Sequence, residues 1–191
     1  MDLIPVTDVK QWAYCPRVVY YHRIMPAAPR PTFKMKEGVA AQELIEGLET
    51  RRTLREYGLE AAQRRFGTWL ENRELGLSGK IDLLLEAVDQ IAVVDFKLTS
   101  GDPARNHRLQ LAAYTLLAET AFGLPARRAF LYRIPDSRIF AEPVTEELRR
   151  AVQTAVVDIR RTSDEQWCPE PTEVRGRCVE CEFANYCADV W

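Results

Sequence analysis

The stretch that decides the fold reads Gly79-Lys80-Ile81-Asp82-Leu83-Leu84-Leu85-Glu86, breaks at Ala87-Val88-Asp89-Gln90, and resumes as Ile91-Ala92-Val93-Val94-Asp95-Phe96-Lys97. Two apolar runs around a short polar break predict a β-hairpin. With the turn centred between Val88 and Asp89, Glu86 falls opposite Ile91 and, counting outward, Asp82 falls opposite Asp95. Opposed residues share a sheet face, and so do alternate residues along one strand. One face then carries Lys80, Asp82, Leu84, Val93, Asp95 and Lys97. The other carries Ile81, Leu83, Leu85, Ala92, Val94, Phe96 and Leu98, and reads as core. Val88-Asp89 lacks the Asn-Gly or Asp-Gly chemistry of the tightest hairpins. A four-residue loop on the same centre keeps the pairing.

Two carboxylates directly opposed on a sheet repel each other. A hard divalent cation such as magnesium or manganese offsets that repulsion, because it takes carboxylate oxygens as ligands. Lys97 is then placed to reach an attacking water or a developing negative charge. The plain alternative is a surface patch whose lysines neutralise its aspartates.

The 191 residues fit one domain with small appendages. A hydrophobic fraction of 47% suits a globular core. No apolar run approaches the ~20 residues of a membrane span, and no charged-then-apolar leader is evident, so a cytoplasmic protein is expected. A net charge of −2 gives no global basic field, so any nucleic-acid surface is a local patch. Arginine doublets occur at Arg51-Arg52, Arg64-Arg65, Arg127-Arg128, Arg149-Arg150 and Arg160-Arg161. The arginine fork suits phosphate, although such doublets are commonly solvated edges.

Near the N-terminus, Thr7 or Asp8 is a candidate cap for a helix, and Pro16 after Cys15 breaks or restarts it. Residues Met25 to Pro31 read as a connector. A helix is predicted from Met35 to about Arg52, with strand-like spacing between Glu56 and Leu77. After the hairpin, a helix runs from Asp102-Pro103 to about Phe122, with Gly123 as its stop. On it Gln110 and Tyr114, four apart, share a face. Ala129 to Ile134 reads as a strand. Thr145-Glu146-Glu147 opens a helix to about Arg161. The fold class is α/β, helices around a small mixed sheet.

Cys178-Val179-Glu180-Cys181 is a CxxC, and Cys187 follows it closely. Two cysteines on a tight turn with a third nearby is metal-ligand spacing. A fourth ligand is needed, and the remaining cysteines are Cys15 and Cys168; the plain alternative is three free thiols whose spacing is accidental. Zinc is the default for four thiolates, and iron–sulfur clusters take four as well; spacing does not separate them.

The ordered set Cys15, Gly79-x-x-Asp82, Asp95-Phe96-Lys97, Gln110-x-x-x-Tyr114 and Cys178-x2-Cys181-x5-Cys187 resembles the CRISPR-associated RecB-like exonucleases of the PD-(D/E)xK superfamily. The opening Val6-Thr7-Asp8-Val9-Lys10-Gln11-Trp12-Ala13-Tyr14-Cys15-Pro16-Arg17 is most similar to members fused ahead of the CRISPR integrase. The resemblance covers essentially the whole chain as a single nuclease domain, residues 1–191. It implies a RecB-like core at about 35–162 and cluster-binding elements at 1–24 and 168–191. It implies that Asp82 and Asp95, with the Phe96 backbone carbonyl, hold manganese or magnesium. Lys97 would orient or activate water and steady the phosphate, while Gln110 and Tyr114 line the site. Cys15, Cys178, Cys181 and Cys187 would bind a [4Fe–4S] cluster joining the two ends of the chain, leaving Cys168 free.

One departure stands out. The family carries a metal-binding histidine on the helix before the sheet, and Gln42 occupies that place here. A neutral amide oxygen is a weaker ligand than imidazole for manganese, so Gln42 is the questionable member of the set, with Glu43 beside it. His22 and His107 do not match the family ligand and read as ordinary histidines. The implied function is metal-dependent trimming of single-stranded prespacer ends in CRISPR adaptation, an exodeoxyribonuclease activity. Its implied partners are DNA ends, the integrase and the integrase's small companion subunit. The alternative is a weakly active or inactive DNA-end or motif-recognition subunit of the same complex. A zinc-stapled scaffold without a DNA role ranks third.

Overall fold

The computed structural model describes residues 2–25, 45–179 and 181–187. Gln42 and Glu43, the Met25–Pro31 connector after its first residue, and the first part of the Met35–Arg52 helix lie outside the described residues. Residues 45–49 are helical, as that expectation requires.

The hairpin forms as read. Strand β3 (Leu77–Glu86) pairs antiparallel with β4 (Ile91–Lys97), with Glu86 opposite Ile91. The loop 87–90 is closed by the Ala87 N–H donating to the Gln90 carbonyl at 2.9 Å. Six strands make one mixed sheet. Strand β1 (Ile4–Pro5) runs parallel to β3, and β2 (Gln63–Asn72) runs antiparallel to it. Beyond β4, a crossover through the helix Arg105–Phe122 brings in β5 (Arg128–Arg133) parallel to β4, and β6 (Arg138–Pro143) closes the far edge antiparallel. We label the four long helices α1 (Val6–Tyr14), α2 (Pro16–Ile24), α3 (Arg105–Phe122) and α4 (Glu146–Glu165).

Sequence chemistry sets the ends of these helices. Pro16 sits in the first turn of α2, where its missing N–H is harmless, and Cys15 between α1 and α2 is extended, with φ −160° and ψ 117°. Helix α1 starts earlier than a Thr7 or Asp8 cap would allow: Pro5 is its N-cap. Asp8 instead takes two hydrogen bonds from Arg23 of α2, at 3.0 and 2.8 Å. Helix α3 starts at Arg105, three residues after Asp102, and ends at Gly123 in the left-handed conformation. Thr145 caps α4 through the Leu148 N–H.

Both sheet faces are buried, where the hairpin pattern alone predicts only one. Leu84, Val93, Ala129 and Leu131 pack under α1, α3 and α4 in the larger core. Leu83, Leu85, Ala92, Val94, Phe96, Phe130 and Tyr132 pack with Ile45, Tyr57 and Leu59 in the smaller one. Ile81 departs from its predicted face and joins Leu84 on the helical side. Strict alternation therefore fails once along β3, at Asp82. Leu98, also placed on the core face, lies past the end of β4 and is 43% exposed.

Candidate active site

β3 has two edges. At Leu77 and Ser78, β2 takes one edge and β1 takes the other. From Leu83 to Glu86, β2 again takes the first edge and β4 takes the second. β1 and β4 thus share one edge, and between them residues 79–82 have, among the described residues, no neighbouring strand on that edge. The β3–β4 ladder stops at Leu83–Val94, one pair short of Asp82 and Asp95. Asp82 crosses the opening with its side chain: Oδ2 accepts the Phe96 N–H at 2.9 Å. The register that sets Asp82 against Asp95 is present, but a carboxylate replaces the backbone pair.

Asp95 is 2% exposed. Lys97 Nζ lies 2.5 Å from its Oδ2. An ammonium thus already stands against that buried oxygen. Two carboxylates on adjoining strands, Asp82 and Asp95, with a lysine at hand, are a donor set that fits a hard divalent ion. Lys80, expected on the same patch, is exposed and lies over Gly67 of β2, where an added Cβ would meet its Cε at 2.9 Å.

Helix α3 roofs the opening. Gln110 and Tyr114 are both buried, and Gln110 Nε2 makes a long 3.5 Å hydrogen bond to the Tyr114 hydroxyl. Gln110 Oε1 is buried without a partner. Burial first, then Asp95 and Asp82, raises the Tyr114 hydroxyl well above the ordinary range, so it is a firm donor. Gly79 explains the roof's close approach. A Cβ there would stand 2.8 Å from Tyr114 Cε1 and 3.2 Å from Val6.

Two residues that no motif marks join the site. Burial, then Lys97, lowers the Lys10 amine of α1 to about 8, while Asp95 and Asp82 pull it the other way. Burial, then Lys97 and Lys10, holds His107 of α3 neutral with a pKa of about 4. Tertiary packing brings both in, so spacing offers no signal for them. His22, by contrast, is structural: it pairs with Glu182 at 3.1 Å and packs edge-on to Phe183.

Cys15, Cys178, Cys181 and Cys187 line one small cavity of about 20 Å³, with Arg17, Tyr21 and Phe183. Burial, then its three fellow cysteines, raises the Cys181 thiol despite a backbone N–H. Cys168 is exposed and not in that lining. Among the described residues no three His, Cys, Asp or Glu side chains are drawn to metal-ligand geometry. The chemistry of the donor set, four thiols around one space, still fits a thiophilic centre. Arg17 donates from Nε to the Pro169 carbonyl at 2.9 Å and from Nη1 to Cys187 Sγ at 3.5 Å, fastening α2 to the C-terminal segment.

The profile of the PD-(D/E)XK nuclease superfamily matches residues 9–188. The CRISPR-associated exonuclease Cas4 of Francisella tularensis subsp. novicida is 32% identical over 97% of this chain and 94% of its own length. The chain belongs to the Cas4 family. The Cas4 of Aeropyrum pernix is 30% identical over 96% of this chain and 94% of that one. A Cas4/Cas1 fusion from Geobacter sulfurreducens is 24% identical over 98% of this chain, which matches 34% of the fusion. The crystal structure of SSO0001 shares the fold, with a TM-score of 0.61 at 19% identity, covering 97% of this chain and 85% of that one. PD-(D/E)XK nucleases use divalent metals. Among the described residues no helix is long and apolar enough to cross a membrane.

Proposed function

We propose that this chain is a divalent-metal-dependent exodeoxyribonuclease that trims the single-stranded ends of prespacers during CRISPR spacer acquisition, in the cytoplasm. The observation that carries the reading is the buried Asp95 carboxylate ion-paired with Lys97, with Asp82 across the strand edge from it. Asp82, Asp95 and the Phe96 carbonyl would hold magnesium or manganese, with Gln42 as a weak further ligand. Such an ion would supply Lewis acidity and lower the pKa of a water. Lys97 would help orient the attacking water and set positive charge beside the phosphoryl oxygens, where negative charge grows in the transition state. Tyr114, kept protonated, donates to the DNA strand, and Gln110 offers Oε1 as an acceptor beneath α3. A [4Fe–4S] cluster on Cys15, Cys178, Cys181 and Cys187 is supported by their shared cavity. The partners are DNA ends, the CRISPR integrase and its small companion subunit; the fused Geobacter relative supports the integrase.

The test is cleavage of single-stranded and splayed DNA with manganese by the parent, Asp95→Asn and Lys97→Ala, beside a DNA-binding assay on the same proteins. The parent is expected to cut and both variants to bind without cutting. A Lys97→Ala protein that cuts as well as the parent overturns the assignment. Gln42 in place of histidine favours one second reading, a recognition subunit. That reading holds if the parent binds DNA ends with the integrase and never cuts.

A further inference from the structure

Helix α1 reaches from the core to the cysteines. Val6 packs on Gly79 of β3, and Val6 and Val9 are fully buried. Lys10 follows Val6 by four residues and so lies on the same helix face, one turn on. One turn is about 5.4 Å, less than two residues of strand. That step carries Lys10 from beside Gly79 toward residues 80–82, whose second edge is open among the described residues. Its electrostatic neighbours agree, being Lys97, Asp95 and Asp82. Among the described residues it makes no ion pair and no hydrogen bond.

We propose that Lys10 is a second substrate-contacting lysine of this site, its ammonium reaching a non-bridging oxygen of the DNA phosphodiester from the α1 side while Lys97 approaches from β4. The proposal rests on the nuclease reading above and names how the site takes its phosphate. Lys97 stands against Asp95, and among the described residues Lys10 is a cation of this site that pairs with neither carboxylate, which leaves its ammonium for an anion. Neutral His107, its Nδ1 accepting the Ala104 N–H at 3.4 Å, brings no competing charge. Among the described residues, the two carboxylates and two lysines are formally neutral together before an ion binds. Ion and lysines together then match the extra charge that a phosphoryl group gains in its transition state.

The test uses the full chain carrying its cysteine-bound metal, as parent, Lys10→Met and Lys10→Arg. Single-stranded DNA binding is titrated in calcium, without turnover, across a potassium chloride series. Lys10→Met should lower the log–log salt slope by about 0.7, the share of one phosphate contact on a single strand; Lys10→Arg should keep it. Cleavage is then measured on strands carrying one uncharged methylphosphonate, moved along the chain. The parent should lose about tenfold at one position, the scale of one charge-assisted hydrogen bond, and Lys10→Met should lose nothing further there. An unchanged slope with an unchanged scan overturns the proposal. So does a lower melting temperature or weaker manganese binding in Lys10→Met with the scan unaltered, which would make the lysine structural. If the parent binds but never cuts, the nuclease reading fails, and the methylphosphonate scan read by binding still decides Lys10.

Discussion

Gly79→Ala is the sharpest test of how the roof is set over the carboxylates. Gly79 is not in the left-handed region, so alanine meets no backbone strain there. The obstacle is contact: 2.8 Å to Tyr114 Cε1 and 3.2 Å to Val6 Cβ and Cγ2. The ring must withdraw by about 0.6 Å to reach the ordinary limit of 3.4 Å, and both neighbours are buried parts of packed helices. Overpacking of this kind costs ~1–3 kcal/mol, while replacing glycine returns ~0.4–1 kcal/mol by restricting the unfolded chain. The net loss is ~1–2 kcal/mol, and at ~2–4 °C per kcal/mol for a chain of this size, the melting temperature should fall by about 3–6 °C. Cleavage should fall at least tenfold, since misplacing a site by ~1 Å can cost far more. Gly47→Ala is the control. It lies in helical residues 45–49 with nothing within 4 Å of an added Cβ, and should stabilise by up to ~1 kcal/mol. Tyr114→Leu combined with Gly79→Ala should recover stability, whereas Tyr114→Phe, which keeps Cε1, should not. A Gly79→Ala protein that melts within about 1 °C of the parent and cuts at the parental rate would refute the steric argument.

Further outcomes follow from the same geometry. Asp82→Asn and Asp95→Asn should abolish metal-dependent cleavage, and Asp95→Asn should also melt lower without metal, because it leaves the half-buried Lys97 ammonium beside a neutral amide. Cys15→Ala should lose bound iron, visible as broad absorption near ~400 nm, and should melt lower; Cys168→Ala should retain the parental spectrum. Arg17→Ala, read by iron retention on exposure to air, should release metal faster than the parent, since the guanidinium contact to Cys187 is gone. His107 supplies a pH dependence: folding depresses its pKa from 6.5 to about 4, so the unfolded chain binds the extra proton first. Stability from this group is therefore complete above pH 6.5 and lost as pH falls toward 4. In denaturant titrations across that window His107→Gln should flatten the slope.

The hairpin is legible because each strand carries an apolar run, Leu83–Leu85 and Ile91–Val94, and the four-residue break is symmetric about its centre. Gly123 and Thr145 mark helix ends through chemistry local to the chain. What periodicity does not show is the break in alternation at Asp82. It falls where β2 carries Gly67, between the Phe66–Leu83 and Thr68–Ile81 pairs, with a positive φ of 57°. Strand β6 went unread because Arg138-Ile139-Phe140-Ala141-Glu142-Pro143 is a short, half-exposed edge. Helix α1 was placed too late, since Pro5 caps it with backbone geometry rather than a side chain. Asp82, Asp95, Lys97, Gln110 and Tyr114 could all be picked out from motif order. Lys10 and His107 could not, as only the docking of α1 and α3 carries them there.

Helix α1 also has a mechanical side. Its far end is gripped by the cysteine segment: Arg177 donates to the Tyr14 carbonyl at 2.5 Å, and the Tyr14 hydroxyl donates to the Arg177 carbonyl at 3.1 Å. From Cys15 back to Lys10 is five residues, a lever arm of ~7.5 Å at 1.5 Å per residue. A tilt of about 10° at the gripped end would swing Lys10 through roughly 1.3 Å, a displacement on the scale that spoils catalytic alignment. On the proposed reading, anchoring at the thiols acts as a fulcrum for the Lys10 end of the helix, and preparations that lose a cysteine-bound metal should lose cutting in step with it, although no cysteine is among the residues proposed for cleavage.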